Sequence, residues 1–208
     1  MGKYNLKEIS SLLTFSRQGF LLLFFFLLFG ISTGVSFELL MSPQTKLEMQ
    51  NYIELNLFTS SMDAHSTAAS FAALFHSIGI NLFLVFILFI SAFTPLVLPV
   101  ALSIIFFKGI PLGYTSILIL DALGLTGVKV ILVSMLPQNL LFLPALFLAA
   151  ICAINKASQR KYSKRRVVGK SFAEANWPYL HIYIFLWIVV LASCIVQFII
   201  SPIVSALA

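Results

Sequence analysis

Long, unbroken apolar runs separated by short polar or proline-bearing segments dominate the chain. Residues 20–29 and 82–90 are apolar at every position. A transmembrane strand would alternate apolar and polar over about ten residues. Runs apolar on all sides therefore point to helices, which satisfy their own backbone hydrogen bonds in hydrocarbon. At about 1.5 Å of rise per residue, roughly 20 residues cross a hydrocarbon core of about 30 Å. The pattern predicts five spans, over 20–40, 78–107, 112–125, 130–154 and 179–200. The first follows the basic residues Lys3, Lys7 and Arg17 and reads as an uncleaved signal anchor; Gly34-Val35-Ser36 is its candidate cleavage triplet, and no convincing A-x-A site follows. The apolar stretch 78–125 contains only Lys108 and Asp121 as charges and is too long for one crossing. A turn is expected at Lys108-Gly109-Ile110-Pro111, where glycine permits the geometry, proline discourages continuation and Lys108 marks the headgroup level. A second turn at 124–129 leads into the fourth span. Trp177 and Tyr179 open the fifth at interface depth, and Pro202 follows it.

Composition turns this pattern into a class. Of 208 residues, 60% are hydrophobic and 10% charged, against about 25% charged in soluble domains. Too little polar surface exists to cover a water-soluble particle. The expectation is an all-α integral membrane protein, a single polytopic domain over 1–208 in contact with membrane lipids. The net charge of +6 does not signal nucleic acid, because seven of the thirteen basic residues lie between Lys156 and Lys170, beside a span. Basic flanks gather on the cytoplasmic side. Alternating the crossings then puts the N-terminus and a basic loop, 155–178, inside, and the C-terminus outside. The outer loop, 41–77, carries Lys46 against Glu48, Glu54 and Asp63. Within it, 47–58 reads either as an amphipathic interfacial helix or as a solvated loop, and 66–77 is apolar enough to begin the second span early. Cys152 and Cys194 lie in apolar runs without a CxxC or Cys/His cluster and read as buried free thiols.

Candidate chemistry is sparse. The chain has no HExxH, GxSxG or phosphate-loop motif, and His65, His76 and His181 are dispersed near membrane boundaries. No catalytic group, metal site or cofactor is expected. Glu38 and Asp121 fall inside predicted spans, where an acid is a functional-site candidate because an unpaired charge is costly; Glu38 lies at the outer end of the first span, and Asp121 sits near the Gly124 turn, where it can reach water. Pro137 and Pro144 each remove a backbone donor from the fourth span, and Gln138 and Asn139 are suited to partner the freed carbonyls. That arrangement reads as a broken helix lining a polar cavity or as a kink locked by amide hydrogen bonds. Pro95 and Pro99 interrupt the second span similarly. Small-xxx-small spacing recurs at Gly30/Gly34 and Gly109/Gly113, and the first pair marks a helix-packing face, within the chain or toward a partner.

Residues Phe107-Lys108-Gly109-Ile110-Pro111-Leu112-Gly113-Tyr114-Thr115, then Ser134-Met135-Leu136-Pro137-Gln138-Asn139-Leu140 with Pro144, and finally Ser201-Pro202, resemble the stage II sporulation protein M family in order and spacing. The resemblance covers roughly residues 20–205. It implies a non-enzymatic scaffold in the mother-cell membrane at the sporulation septum. Such a scaffold would associate with stage II sporulation proteins D and P, the peptidoglycan-degrading members, during engulfment. Broader relatives often place a histidine and a later glutamate where this chain has Gln138 and Phe142, which removes titratable groups expected of proton-coupled transport. The competing class is a transporter or permease subunit using the proline-broken second and fourth spans. In the scaffold reading, the outer loop and the Gly30/Gly34 face contribute to partner binding. The orientation makes a direct prediction. With Cys152 and Cys194 replaced by alanine, Lys164→Cys should resist a membrane-impermeant maleimide in intact cells and react after permeabilisation. Labelling in intact cells would invert the topology.

Overall fold

The computed structural model describes residues 12–13, 17–59, 66–163 and 172–205, with side chains at 12–13, 17–51, 74–159 and 176–200. The basic residues from Lys164 to Lys170, together with Lys3, Lys7, Asp63 and His65, lie outside the described residues. The described chain forms α1 (Arg17–Leu39), α2 (Pro43–Thr59), α3 (Ser66–Ser91), α4 (Val97–Leu123), α5 (Leu125–Ser134), α6 (Leu136–Ser163) and α7 (Phe172–Ser205), and no strand occurs among these residues. Five helices are long and apolar enough to cross a membrane: α1, α3 over Leu74–Ser91, α4, α6 over Leu136–Gln159 and α7 over Asn176–Ile200. The expected number of spans holds. Two of the boundaries do not.

Residues 108–111 make no turn; Lys108, Gly109 and Pro111 all lie inside α4. Proline there costs the helix the one N–H that would have served Phe107, a loss that membrane helices tolerate when neighbours compensate. The break falls at residues 92–96 instead. Backbone bonds from Phe93 to Ile90 (3.0 Å) and from Thr94 to Ser91 (2.9 Å) tighten the end of α3, and the Ser91 and Thr94 hydroxyls donate to the Leu88 and Ser91 carbonyls at 2.7 and 2.8 Å. Pro95 then disfavours helical geometry at Thr94. Pro99 falls in the first turn of α4, where a missing N–H costs little. The second crossing thus lies in α3, over Leu74–Ser91 of a helix that begins at Ser66, and the third spans Val97–Leu123. The turn at Gly124 is present, with φ of +57°, but residues 125–134 form the short helix α5 before α6 begins.

The tightest contact in the bundle joins α1 to α4. Gly30 and Gly34 of α1 face Phe106, Gly109, Ile110 and Tyr114 of α4, while Gly109 and Gly113 face Leu27, Gly30 and Ile31. Residue numbers rise together on both sides, so the two helices run parallel with their glycine pairs interlocked. A methyl group at Gly109 would sit 2.6 Å from the Leu27 carbonyl oxygen and 3.0 Å from the Gly30 Cα. At Gly30, Gly34 and Gly113 a methyl would overlap the carbonyl oxygens of Phe106, Ile110 and Ile31. The absence of side chains lets the two backbones meet, gaining the dispersion contacts that drive helix association in lipid. The Gly30/Gly34 face is a helix-packing face used within the chain, the first of the two alternatives its spacing left open.

Helices α3 and α7 pack antiparallel, as do α6 and α7. The Tyr179 hydroxyl donates to the Phe89 carbonyl (3.1 Å) and the Tyr183 hydroxyl to the Ala149 carbonyl (2.7 Å). Phe89 stacks on Tyr179 with ring centroids 5.1 Å apart and meets Tyr183 edge-on, also at 5.1 Å. These buried tyrosines satisfy their polar ends on backbone oxygens, the condition for burying a phenol in an apolar interior. Asn155 reaches the Leu12 carbonyl at 2.9 Å and holds the start of the described chain against α6. Large apolar side chains on the outer faces, among them Phe25, Phe83 and Phe185, are exposed, as lipid contact requires.

The glycine seam predicts a sharp contrast. Gly34→Leu should destabilise the protein by about 1–3 kcal/mol, the usual cost of overpacking. Gly79→Ala, where nothing lies within 4 Å of the added methyl, should change the thermal midpoint little. Unfolding in detergent, followed by Trp fluorescence, measures both.

Candidate functional site

Glu38, near the C-terminal end of α1, and Asp121, near that of α4, are brought together by the parallel packing of their helices. Lys46, from the first turns of α2, inserts its ammonium between them. Its Nζ lies 2.8 Å from Glu38 Oε1 and also pairs with Asp121 Oδ2. Glu38 is fully buried, and its Oε2 has no hydrogen-bond partner among the described residues. Glu38, expected at the outer end of the first span, is shielded from solvent there, whereas Asp121 is partly exposed. Removing one partner of a buried pair leaves the other charge uncompensated, so Lys46 is the cation on which burial of Glu38 depends. Hydrogen bonds to Asp121 and then Glu38 raise the Lys46 pKa above its ordinary 10.5.

The second polar site lies within the bundle. Lys108 was expected at headgroup level, but α4 continues through it, about 17 Å from the helix start. Its Nζ donates to Asn81 Oδ1 of α3 at 2.9 Å and sits 4.4 Å from the centroid of the buried Phe142 ring of α6. Among the described residues no carboxylate pairs with it. The Asn81 amide approaches Cys194 Sγ of α7 and Ser77 Oγ, both at 3.4 Å. Ser77 Oγ in turn donates to Gln197 Oε1 at 3.3 Å. Four helices therefore contribute to one polar chain around an ammonium group. Phe142 offers the face of a ring, an attraction worth about 2 kcal/mol when desolvated.

The Leu-Pro-Gln-Asn-Leu stretch forms a third feature. The helix breaks at Met135, between α5 and α6, and Pro137 falls in the first turn of α6, where it is tolerated. Asn139 Nδ2 donates to the Met135 carbonyl at 2.7 Å, an oxygen that also accepts the Asn139 backbone N–H at 3.2 Å; it is not the carbonyl four residues before Pro137 or Pro144 that was expected to be freed. Thr115 and Ser116 hydroxyls approach Met135 Sδ at 3.8 Å, while donating to their own i−4 carbonyls. Pro144 lies inside α6. Gln138 is half-buried beside this closed break. Cys152 and Cys194 are buried free thiols. No group of three or more His, Cys, Asp or Glu side chains converges among the described residues.

Sequence reasoning singled out Asp121, Lys108 and Asn139, and missed Lys46, Asn81 and Gln197. The two amides were visible as isolated polar residues in apolar runs, which is the available signal for such a site. Lys46 gave none, because its partners lie on two other helices.

Five apolar crossings and a glycine-sealed helix pair define a multi-pass helical membrane protein. The family model for stage II sporulation protein M matches residues 20–202, and the chain belongs to this family. It is thus a sporulation-related membrane protein. No curated protein and no solved structure matches the chain.

Lys46→Met should lower the thermal midpoint, and adding Glu38→Gln should recover part of the loss by removing the stranded charge. A lysine whose folded pKa is raised gives its full contribution below the unfolded value and loses it as pH rises through the folded one. The deficit of Lys46→Met should therefore persist up to pH 10.5 and shrink only above it. Thermal melts of both variants across this range provide the measurement.

Proposed function

We infer that the protein is a non-enzymatic scaffold of the engulfment machinery in the mother-cell membrane at the sporulation septum. It positions peptidoglycan-degrading partners, stage II sporulation proteins D and P, for remodelling of the septal wall. The observation that carries this reading is the Lys46 clasp. It ties α2 to the ends of α1 and α4, so that Gln44, Leu47, Glu48, Met49 and Asn51 stand exposed on a helix fixed to the bundle. With the N-terminus inside, this face lies on the wall side. Fixing such a face in advance lowers the ordering cost of a partner's binding.

The two acids support the same reading. Glu38 and Asp121 are engaged by one lysine and act as ties between helices. Bond cleavage then belongs to the recruited proteins. The second reading, a transporter or permease subunit, draws on the break at Met135, where Asn139 is occupied in closing the backbone.

Affinity purification of the tagged protein from sporulating cells should recover the two wall-degrading partners. Joint substitution Leu47→Ser, Glu48→Lys and Met49→Ser should reduce their recovery several-fold at unchanged membrane abundance. Unchanged recovery removes α2 from the partner surface, and an ABC-type ATPase in place of wall hydrolases favours the permease reading.

A further inference from the structure

The Lys108 chain has a direction. From the ammonium it passes to Asn81, to Ser77 and to Gln197, toward the beginning of α3 and the end of α7. The antiparallel pairing of these helices places both at the same end of the bundle. In the opposite direction the interior is closed. About 7–12 Å deeper along α3, Phe86 and Phe89 meet Trp187, each at 6.3 Å, and Phe89 packs against Tyr179 and Tyr183. Both phenols of this layer are tied to backbone carbonyls, and the buried Trp187 indole N–H has no acceptor among the described residues. The polar interior is thus open in chemistry at one end and floored by aromatic rings at the other. Such an arrangement suits binding more than passage.

At its inner end the chain holds an ammonium with three donors, of which Asn81 Oδ1 takes one. A lysine in hydrocarbon surroundings is costly and is usually paired, yet the charged groups of the described residues nearest in kind, Glu38 and Asp121, are engaged by Lys46. Asp121 also lies about 20 Å along α4 from Lys108. Phe142 and the Cys194 thiol complete the surroundings without supplying a negative charge.

We propose that Lys108 and Asn81 form an intramembrane binding site for a single anionic group, a phosphate-type head, reached along Gln197 and Ser77. Lys108 Nζ donates its remaining N–H groups to the anion while Asn81 Oδ1 holds the ammonium in place, and Phe142 forms an apolar wall beside it. The site is independent of the scaffold reading, since it lies within the bundle and shares no residue with the α2 face.

Full-length protein in nanodiscs tests it, with thermal midpoint as readout and sodium chloride matching ionic strength. In phosphatidylcholine discs, stabilisation of the wild type by inorganic phosphate identifies a free anion. Stabilisation on exchange to phosphatidylglycerol discs, without a phosphate response, identifies a lipid head. In either arm Lys108→Gln should weaken the response about 10-fold or more, as loss of a charge-assisted hydrogen bond implies. Phe142→Glu serves if Lys108→Gln fails to fold. A carboxylate beside the ammonium should raise the ligand-free midpoint and abolish the response. No response in the wild type, or an equal response in either variant, overturns the site.

Discussion

The contact of two bare backbones, α1 on α4, is the constraint from which much of the remaining arrangement follows. Glycine at 30, 34, 109 and 113 lets the helices approach until any methyl group would strike a carbonyl or Cα. Because the helices run parallel, their C-terminal ends emerge together, and Glu38 and Asp121 come within reach of one lysine. Fixing Gly109 toward α1 also fixes the rotation of α4. Lys108, the preceding residue, is turned by about 100° around the helix toward α3 and α6, away from the lipid surface where it would otherwise extend to the headgroups.

Two kinds of charge burial result. At one end of the bundle Glu38 is buried but supplied with a cation, so the cost of desolvation is offset by pairing. In the interior Lys108 is supplied with an amide and a ring, which orient it without neutralising it. The first is an arrangement for holding helices together. The second leaves donor capacity at the centre of the bundle, on the polar side of an aromatic floor. A membrane protein assembled mainly by dispersion has few structural reasons to keep such an unneutralised group.

The helix breaks show how local signals compete. Pro111 follows a glycine and a lysine, the composition of a turn, yet the helix passes through it. Pro95 ends α3, with the Ser91 and Thr94 hydroxyls bonding back to carbonyls that the break releases. The difference lies in what surrounds each proline: Gly109 and Gly113 hold the neighbouring backbone against α1 and keep it helical. Asn139 was legible as a side chain that bonds its own helix, because donor and acceptor are four residues apart. Lys46 was not, because its acceptors are on other helices.

The sequence by itself determined that this chain lies in a membrane as helices, approximately how many cross, and which family motifs it carries. Those properties depend on local apolar length and on residue order. Only the tertiary structure decided that the two glycine pairs meet each other, that Lys46 serves both acids and that Lys108 points inward. Each depends on the rotation of one helix relative to another. In apolar surroundings that rotation is set by close packing between distant segments, which a hydropathy pattern nearly uniform around the helix does not encode.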